Sequence, residues 1–325
     1  MVKVVRITQP GGPEVLKMEE VDLPKPGPGE VVIRHHAIGL NFVDVYHRIG
    51  LYKQPSYPAP LGGEAAGVVE AIGPKVKDFK VGDRVAYGNS PLGAYAEARI
   101  IPAHRLVKLP KEIDFKTAAA MMLKGLTVQY LIRRTYKVKK GDTILVHAAA
   151  GGVGLILCQW AKSLGANVIG VVSSDEKAKL AKAHGCKYPV VSARENFVEV
   201  VKKITKGEGV PVVYDSVGKD TFQGSLDCLR HFGLMVSFGN ASGPVPPVDL
   251  SVLAAKGSLF ITRPTLNTYA AKREDLVASA RDLFRAVKSG AVKIRVNQTY
   301  KLADAAQAQR DLEARKTTGS TVLLP

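Results

Sequence analysis

The chain has few cysteines and no long apolar run. Its 325 residues include three cysteines, Cys158, Cys186 and Cys228, which are widely spaced and form no C-x-x-C pair. Such a set builds neither a disulfide framework nor a cysteine-rich zinc site. No stretch approaches the roughly 18 apolar residues of a membrane helix, and the N-terminus shows no apolar signal-peptide core. We therefore expect a cytoplasmic protein, with Cys158 buried in its apolar surroundings.

Acidic residues are outnumbered by basic ones. Lys and Arg total 46 against 29 Asp and Glu, which gives a formal net charge of +17. An excess of this size suggests an anionic ligand or nucleic acid as a partner. However, the basic residues are spread along the chain, with no block longer than pairs such as Lys139-Lys140. We interpret most of them as solvated surface and keep RNA binding as a weaker alternative.

Two kinds of pattern divide the sequence. Up to about residue 125, short β-type runs are separated by Gly- and Pro-rich turns, which predicts an irregular, mostly antiparallel β-domain. From there to about residue 264, apolar runs alternate with amphipathic helical segments, and this alternation predicts a doubly wound parallel sheet. The apolar runs are 143–148, 168–172, 189–191, 210–214, 234–238 and 258–262.

The last part of the chain has its own pattern. A helical stretch over residues 273–289 is followed by strand-like segments at 292–300 and 321–324. We expect these to return to the first domain. The predicted domains are therefore a substrate domain formed by 1–125 with 265–325, and a nucleotide-binding domain at 126–264.

A glycine-rich loop carries the clearest chemical signal. In the run from Thr143 to Gly154, Ala149, Gly151 and Gly154 occupy the three positions of a G-x-G-x-x-G fingerprint, with Ala in place of the first glycine. Gly151 lets the backbone approach a pyrophosphate, and Gly154 lets the following helix pack closely on the strand. Because the loop ends a predicted strand and opens a helix, we predict a dinucleotide site.

The end of the second predicted strand distinguishes NADPH from NADH. Twenty positions beyond the loop, where a carboxylate would bind the ribose 2′-OH of NADH, the chain has Ser174, followed by Asp175 and Lys177. A hydroxyl and an ammonium suit a 2′-phosphate, so we predict NADPH. Asp175 complicates this interpretation, and Ser174 or Asp175 could instead cap the next helix, with Lys177 in solvent.

Several longer motifs resemble those of one family. The chain is similar over essentially its whole length to bacterial NADPH:quinone oxidoreductases of the zeta-crystallin group, within the medium-chain dehydrogenase/reductase superfamily. This resemblance implies a GroES-like β-domain joined to a Rossmann domain, and a homodimer that pairs strand edges around residues 232–262. The matching motifs are GGPEVL (11–16), IGLNFVDVY (38–46), GGEAAG (62–67), VGDRV (81–85), KGLT (124–127), AAAGGVG (148–154), VYDSVG (213–218) and MVSFGN (235–240).

The resemblance implies roles for single residues. Asn41 would contact the cofactor near the nicotinamide, Thr127 its phosphate or ribose, and Arg315 the adenosine phosphate. The remaining implied cofactor contacts are Gly152 and Val153 at the pyrophosphate, Ser174 and Lys177 at the 2′-phosphate, and Phe238 and Gly239 at the nicotinamide. One departure is Ser192, which stands where the group often has Tyr in the 2′-phosphate region. Alternatively, Asn41 is a turn-former, Phe238 ordinary core and Arg315 a surface charge.

The histidines and cysteines do not fit a catalytic zinc. Such a site needs three protein ligands, yet no Cys precedes position 158, and Gly63 stands where the zinc enzymes of the superfamily have His. We therefore expect no metal. A quinone needs little polarisation, so the protein would mainly orient the reactants.

The substrate pocket is less clearly defined by the sequence. Asn41, Tyr46 and Tyr52 are the candidate wall of this pocket, although the tyrosines could equally be packing aromatics. We name no general acid. Two alternatives to quinone reduction remain: an NADPH-dependent enone or 2-alkenal reductase, and an RNA-binding protein without enzyme activity.

Overall fold

The chain divides into two compact units. The computed structural model describes residues 1–89 and 91–325. Unit 1 comprises Met1–Leu126, Ala270–Lys288 and Ile294–Pro325, and unit 2 comprises Thr127–Tyr269 and Ser289–Lys293.

The N-terminal part of unit 1 is built mainly of strands. Its elements are β1 (Val2–Ile7), β2 (Leu16–Val21), β3 (Glu30–Leu40), α1 (Phe42–Arg48), β4 (Ala59–Pro60), β5 (Glu64–Ile72), β6 (Arg84–Gly88), β7 (Ala98–Pro102), β8 (Val107–Lys108) and α2 (Phe115–Tyr130). Short 3-10 turns at Pro13–Val15 and Ala103–Arg105 join some of them. From Thr127 onward, α2 and the π turn that continues it at Leu131–Thr135 belong to unit 2.

Unit 2 alternates strands and helices. Its elements are β9 (Thr143–Val146), α3 (Gly152–Ser163), β10 (Asn167–Val172), α4 (Asp175–Ala183), β11 (Tyr188–Val191), α5 (Phe197–Ile204), β12 (Val210–Asp215), α6 (Phe222–Asp227), β13 (Leu229–Ser237), α7 (Ser251–Ala255), β14 (Phe260–Thr262) and α8 (Leu266–Tyr269). The six strands form one parallel sheet in the order β11-β10-β9-β12-β13-β14. This order confirms the predicted doubly wound sheet.

The C-terminal segment belongs to unit 1 and completes its main sheet. It contains α9 (Arg273–Lys288), β15 (Val296–Lys301), a 3-10 turn at Leu302–Asp304, α10 (Ala305–Glu313) and β16 (Ser320–Leu324). The sheet has the order β15-β16-β3-β5-β6-β8, with β7 also paired to β3, and a second sheet has the order β2-β1-β4. β16 lies antiparallel to β3, so the chain end is held in the unit by backbone hydrogen bonds.

Several predicted strand bounds were wrong: the strand predicted over 234–238, for example, is β13 (Leu229–Ser237). Three of the other differences have a local reason. The strand predicted to end at residue 148 ends at Val146, because Ala148 adopts the left-handed region with φ of 52°. The last strand of the parallel sheet begins at Phe260 rather than 258, because Ser258 has φ of 55°. β15 begins at Val296 rather than 292, because the backbone of Lys293 pairs with the side-chain amide of Gln159.

Each unit has its own apolar core. In unit 2, apolar side chains from β9, β10, β12 and β13 pack with those of α5 and α6 on one face of the sheet. In unit 1, the core gathers residues of β1, β3, β5, β6 and α10. Cys158 is fully buried, as predicted. Within the residues described, none of the helices combines the length and hydropathy needed to cross a membrane.

Candidate functional site

The glycine-rich loop of unit 2 connects the carboxyl end of β9 to α3. Ala148 turns the chain with a left-handed backbone, and its carbonyl accepts a hydrogen bond from the N–H of Gly151 at 2.9 Å. Gly151 is the N-cap of α3, and Gly152 and Val153 form its first turn. Gly151 has no side chain to cap these N–H groups, so the positive end of the helix macrodipole is left for an anion.

The two glycines of the fingerprint have different physical roles. A Cβ on Gly154 would lie 2.3 Å from the carbonyl oxygen of Ala148 and 2.7 Å from Cα of Ala149, so close packing of the loop on the helix requires glycine. A Cβ on Gly151 would meet only the Ala148 oxygen, at 3.2 Å, among the described residues. An alanine at position 151 would need a small shift of this oxygen, so packing restricts position 151 less than position 154. The space beside Gly151 fits the close approach of a pyrophosphate.

The alanine at the first fingerprint position is accommodated by a glycine on the neighbouring strand. Ala149 is fully buried, and its N–H donates to the carbonyl of Val171 on β10. A Cβ on Gly170 would lie 2.7 Å from Cβ of Ala149 and 2.6 Å from Sγ of Cys186. The missing side chain of Gly170 thus makes room for the methyl group of Ala149. The chain has alanine at the first fingerprint position and glycine opposite it on β10, so the packed volume is preserved.

The predicted 2′-phosphate residues lie where β10 ends and α4 begins. Ser174 is the N-cap of α4, and its hydroxyl accepts a hydrogen bond from the N–H of Lys177 at 3.4 Å. The ammonium of Lys177 lies 3.2 Å from Oγ of Ser173. Helix capping by Ser174, which the sequence left as an alternative, is therefore present. Capping leaves the hydroxyl and the ammonium together at the carboxyl edge of the sheet.

Asp175, which complicates the choice of cofactor, forms an ion pair. Its carboxylate lies 2.7 Å from the guanidinium of Arg194, in the turn after β11. Both side chains are more than half exposed. Ser192, at the same turn, donates its hydroxyl to the carbonyl of Val172 at 3.1 Å. The sequence prediction missed Arg194, although its position two residues beyond Ser192 was a usable signal.

The predicted nicotinamide residues follow β13. Phe238 is partly exposed, and its N–H donates to the carbonyl of Asp215 at 2.8 Å. Gly239 packs so closely on Ser216 that a Cβ would lie 2.4 Å from the Ser216 oxygen. The carboxylate of Asp215 accepts hydrogen bonds from N–H groups of the next turn and from the hydroxyls of Thr221 and Ser225. Asp215 therefore fixes the strand end against which this segment is held.

A buried ionic network surrounds Asn41 in unit 1. Asn41 is the N-cap of α1, is 5% exposed, and donates its side-chain amide to Oε2 of Glu64 at 2.7 Å. Oε2 of Glu64 also accepts from Nζ of Lys124 at 3.1 Å, and Oε1 accepts from the N–H of Leu123 at 2.8 Å. Glu64 is thus a fully buried carboxylate with three donors. It holds the Asn41 side chain in one orientation.

The network continues from α1 to α10. Oδ2 of Asp44 accepts from the N–H of Asn41 and the hydroxyl of Tyr95, while Oδ1 has no partner among the described residues. Burial is the main cause that raises the pKa of Asp44 to about 7, against the effect of those hydrogen bonds. Arg48 is fully buried and pairs through two nitrogens with Glu313 at 2.8 and 2.9 Å.

The candidate tyrosines lie together but are not equally accessible. The rings of Tyr46 and Tyr52 meet edge to face with centroids 5.3 Å apart, and Phe42 packs on Tyr46. Tyr46 is only 6% exposed, which supports the packing alternative for this side chain, whereas Tyr52 is partly exposed. Their role as a substrate wall stays a prediction.

The other implied cofactor residues lie apart from the loop in the chain. Thr127 is largely buried on α2 and hydrogen-bonds with Tyr130. Arg315 is exposed in the turn after α10, with a left-handed backbone at φ of 58°. Unit 2 itself brings together the loop, Ser174 with Lys177, and Phe238 with Gly239 at the carboxyl edge of one parallel sheet, where open α/β sheets bind ligands.

Glu64 and Lys124 are functional candidates to which the sequence prediction gave no role. The signal was a charged residue in an otherwise apolar setting: Glu64 begins the strand EAAGVV, and Lys124 follows the run AAAMML. Within the described residues, no group of three His, Cys, Asp or Glu side chains is arranged to hold a metal ion.

Two family models match the chain. The model described as "Alcohol dehydrogenase GroES-like domain" matches residues 27–111, and the model described as "Zinc-binding dehydrogenase" matches residues 152–278. The first lies within unit 1. The second begins at the helix of the glycine-rich loop and extends from unit 2 into α9.

Curated relatives and solved structures match over the full chain. A protein named quinone oxidoreductase from Pseudomonas aeruginosa is 55% identical over 325 residues, with 100% of both chains covered. A structure of Escherichia coli quinone oxidoreductase complexed with NADPH is 49% identical, with a TM-score of 0.98, and covers 99% of this chain and all of its own. A 2-haloacrylate reductase from Burkholderia is 48% identical over 333 residues, with 100% of this chain and 99% of that one covered.

Proposed function

The chain belongs to the quinone oxidoreductase family of the medium-chain dehydrogenase/reductase superfamily, and from this premise we propose that it reduces quinones with NADPH, without a metal. Residues 126–264 would form the NADPH-binding domain. Residues 1–125 and 265–325 would supply the substrate side.

The observation that carries this proposal is the pair of glycines at the start of α3. Gly154 is required by packing, whereas a Cβ on Gly151 would meet one backbone oxygen, at 3.2 Å, beside a helix N-terminus that has no side-chain cap. Backbone N–H groups and the helix dipole there suit a pyrophosphate. Bound NADPH supplies hydride. Similar proteins support this assignment, since the Escherichia coli structure is described as a complex with NADPH.

The chain's own residues would bind and orient the reactants. Gly151, Gly152 and Val153 would hold the pyrophosphate, and Ser174 with Lys177 the 2′-phosphate. Arg315 would hold the adenosine phosphate, Thr127 the nicotinamide-side phosphate or ribose, and Phe238 with Gly239 the nicotinamide; Ala149 and Gly154 shape the loop. Asn41, fixed by Glu64, would orient the nicotinamide next to the quinone, and Tyr46 with Tyr52 would line the quinone pocket.

Reduction of a set of acceptors by purified protein tests the proposal. We expect 1,4-benzoquinone and 9,10-phenanthrenequinone to cause rapid loss of NADPH absorbance, with NADH at least about tenfold poorer in kcat/KM because the 2′-phosphate contacts are lost. An enone and 2-chloroacrylate serve as competing acceptors, since one relative is named a 2-haloacrylate reductase. Turnover of these alkenes without turnover of quinones would contradict the proposal.

We also propose that the protein is a homodimer joined through β14. This strand is at the edge of the parallel sheet, and Phe260 on it is 59% exposed; Phe232, near it, is 72% exposed. Such an apolar edge needs a covering partner. Light scattering after gel filtration should give twice the chain mass for the wild type and one chain mass for Phe260→Glu. Val81→Glu, at an equally exposed valine of unit 1, should stay dimeric; a monomeric wild type would contradict the proposal.

The cytoplasmic location stays a proposal that cell fractionation tests.

RNA remains the alternative partner that would account for the net positive charge. This alternative would be supported by RNA affinity that falls steeply with salt and is competed by NADPH.

A further inference from the structure

The carboxyl edge of β10 and β11 holds a charge pair beside Ser174 of the predicted 2′-phosphate site. Val172 at the end of β10 pairs with Val191 at the end of β11, so the turns that follow the two strands are neighbours. One turn contributes Ser174 and Asp175, and the other contributes Arg194. The guanidinium of Arg194 reaches the carboxylate of Asp175 at 2.7 to 2.8 Å across the gap between the turns.

The pair changes the electrostatics of this edge. Asp175 follows Ser174 directly, and a bare carboxylate there would repel a phosphate dianion and favour a ribose hydroxyl. The pair with Arg194 offsets that charge. A guanidinium has five N–H donors in a planar fork, and Arg194 contacts Asp175 through one of its nitrogens, Nη1. Donors therefore remain for a second anion, and the exposure of both side chains leaves them able to move.

The hydroxyl of Ser192 is directed elsewhere. It donates to the carbonyl of Val172, as does the backbone N–H of the same residue. Among the residues of the turn after β11, Arg194 therefore brings the positive charge to this edge. An Arg fork matches phosphate oxygens better than a single ammonium does.

We propose that Arg194 binds the 2′-phosphate of the cofactor and determines the preference for NADPH, with its ion pair to Asp175 cancelling the carboxylate that would otherwise favour NADH. This inference rests on the proposed function, because it assigns a residue to the cofactor named there. It makes the 2′-phosphate site of this chain a set of three residues: Ser174, Lys177 and Arg194.

Equilibrium binding tests the proposal without turnover. Calorimetric titrations of 2′,5′-ADP and of 5′-AMP into the full-length protein measure the contribution of the 2′-phosphate alone. Arg194→Gln should weaken 2′,5′-ADP binding by about 10- to 100-fold, as loss of a charge-assisted contact implies, and leave 5′-AMP within about twofold. Arg34→Gln is the matched control, because Arg34 forms an exposed ion pair with Glu70 in unit 1; both affinities should be unchanged.

A double variant separates direct contact from charge cancellation. In Asp175→Asn with Arg194→Gln the repelling carboxylate is gone, yet we expect 2′,5′-ADP to bind at least several-fold more weakly than to the wild type. Full recovery would overturn direct contact by Arg194. A wild-type preference for 2′,5′-ADP that survives Arg194→Gln would overturn this inference alone. A wild type that does not prefer 2′,5′-ADP over 5′-AMP would overturn the NADPH proposal as well.

Discussion

The glycine-rich loop of unit 2 and the ionic network of unit 1 are built by opposite means. The loop depends on missing side chains: Gly154 and Gly170 leave space that neighbouring atoms fill, and Gly151 leaves space that a ligand can fill. The network depends on buried charge, with Glu64 fully buried beside Lys124. The first region forms a site from backbone atoms, whereas the second fixes a side chain, Asn41, by enclosing it in hydrogen bonds.

This difference determines how each region should respond to mutation. In the loop, an added methyl group acts through steric overlap, so its effect depends on which atom it meets. In the network, removal of one charge leaves another buried without a counter-charge. The changes below test this contrast, from the largest expected effect to the smallest.

Glu64→Gln should cost the most stability. Glutamine has one acceptor oxygen for the three donors that now meet Glu64, and its amide would face a donor. We expect the free energy of unfolding to fall by about 3–5 kcal/mol, the range for a broken buried ion pair. Urea denaturation measures it, and Lys124→Met should give a loss of similar size. The control Glu70→Gln breaks an exposed pair and should change it by less than about 1 kcal/mol; a loss that small at Glu64 would contradict the account.

Asp44→Asn should alter the pH dependence of stability. Burial raises the pKa of Asp44 from 3.8 to about 7, so the folded state binds a proton more tightly than the unfolded chain does. The contribution of Asp44 to the free energy of unfolding is therefore fully present below pH 4 and is lost as the pH rises through about 7. Asparagine stays neutral and keeps the two hydrogen bonds accepted by Oδ2.

The Asp44→Asn protein should thus gain roughly 2–4 kcal/mol on the wild type between pH 4 and pH 8. Urea denaturation at a series of pH values measures the difference. Parallel curves for the two proteins would show that Asp44 titrates normally.

Gly154→Ala and Gly151→Ala should separate stability from binding. The Gly154 methyl group would overlap the loop backbone, which predicts a loss of about 1–3 kcal/mol in unfolding free energy. The Gly151 methyl group meets one protein atom at 3.2 Å, so stability should change by less than about 1 kcal/mol. NADP⁺ binding by the Gly151 variant should nevertheless weaken at least about tenfold, because a side chain blocks the approach of the pyrophosphate. Thermal unfolding measures the stability of each variant, and calorimetry measures its affinity for NADP⁺. Equal effects of the two variants on stability and on affinity would contradict the different roles of Gly151 and Gly154.

Gly170→Ala should be rescued in part by a second change. Its methyl group would overlap Cβ of Ala149 and the sulfur of Cys186, for an expected loss of about 1–2 kcal/mol. Ala149→Gly removes one of these overlaps, so the double variant should be more stable than Gly170→Ala by about 0.5–1 kcal/mol. Strictly additive losses in urea denaturation would show that the two positions do not exchange volume.

The sequence predicted the two regions to different extents. The alternation of apolar runs and helices predicts the parallel sheet, and the fingerprint predicts the loop, because both are local patterns. The ion pair between Lys124 and Glu64 joins residues 60 positions apart, and that between Arg194 and Asp175 spans 19. Such pairing depends on the tertiary fold, so the sequence indicates a charge in an apolar run without naming its partner. Strand ends were predicted less well, because left-handed residues such as Ala148 and Ser258 carry no glycine signal.

The most direct test of the proposed function is NADPH oxidation with 1,4-benzoquinone by the wild type and Gly151→Ala side by side. We predict rapid turnover by the wild type. For Gly151→Ala we predict a melting temperature within about 4 °C of the wild type and a kcat/KM for NADPH at least about tenfold lower. A wild type that leaves NADPH unoxidised, or a Gly151→Ala variant as active as the wild type, would contradict it.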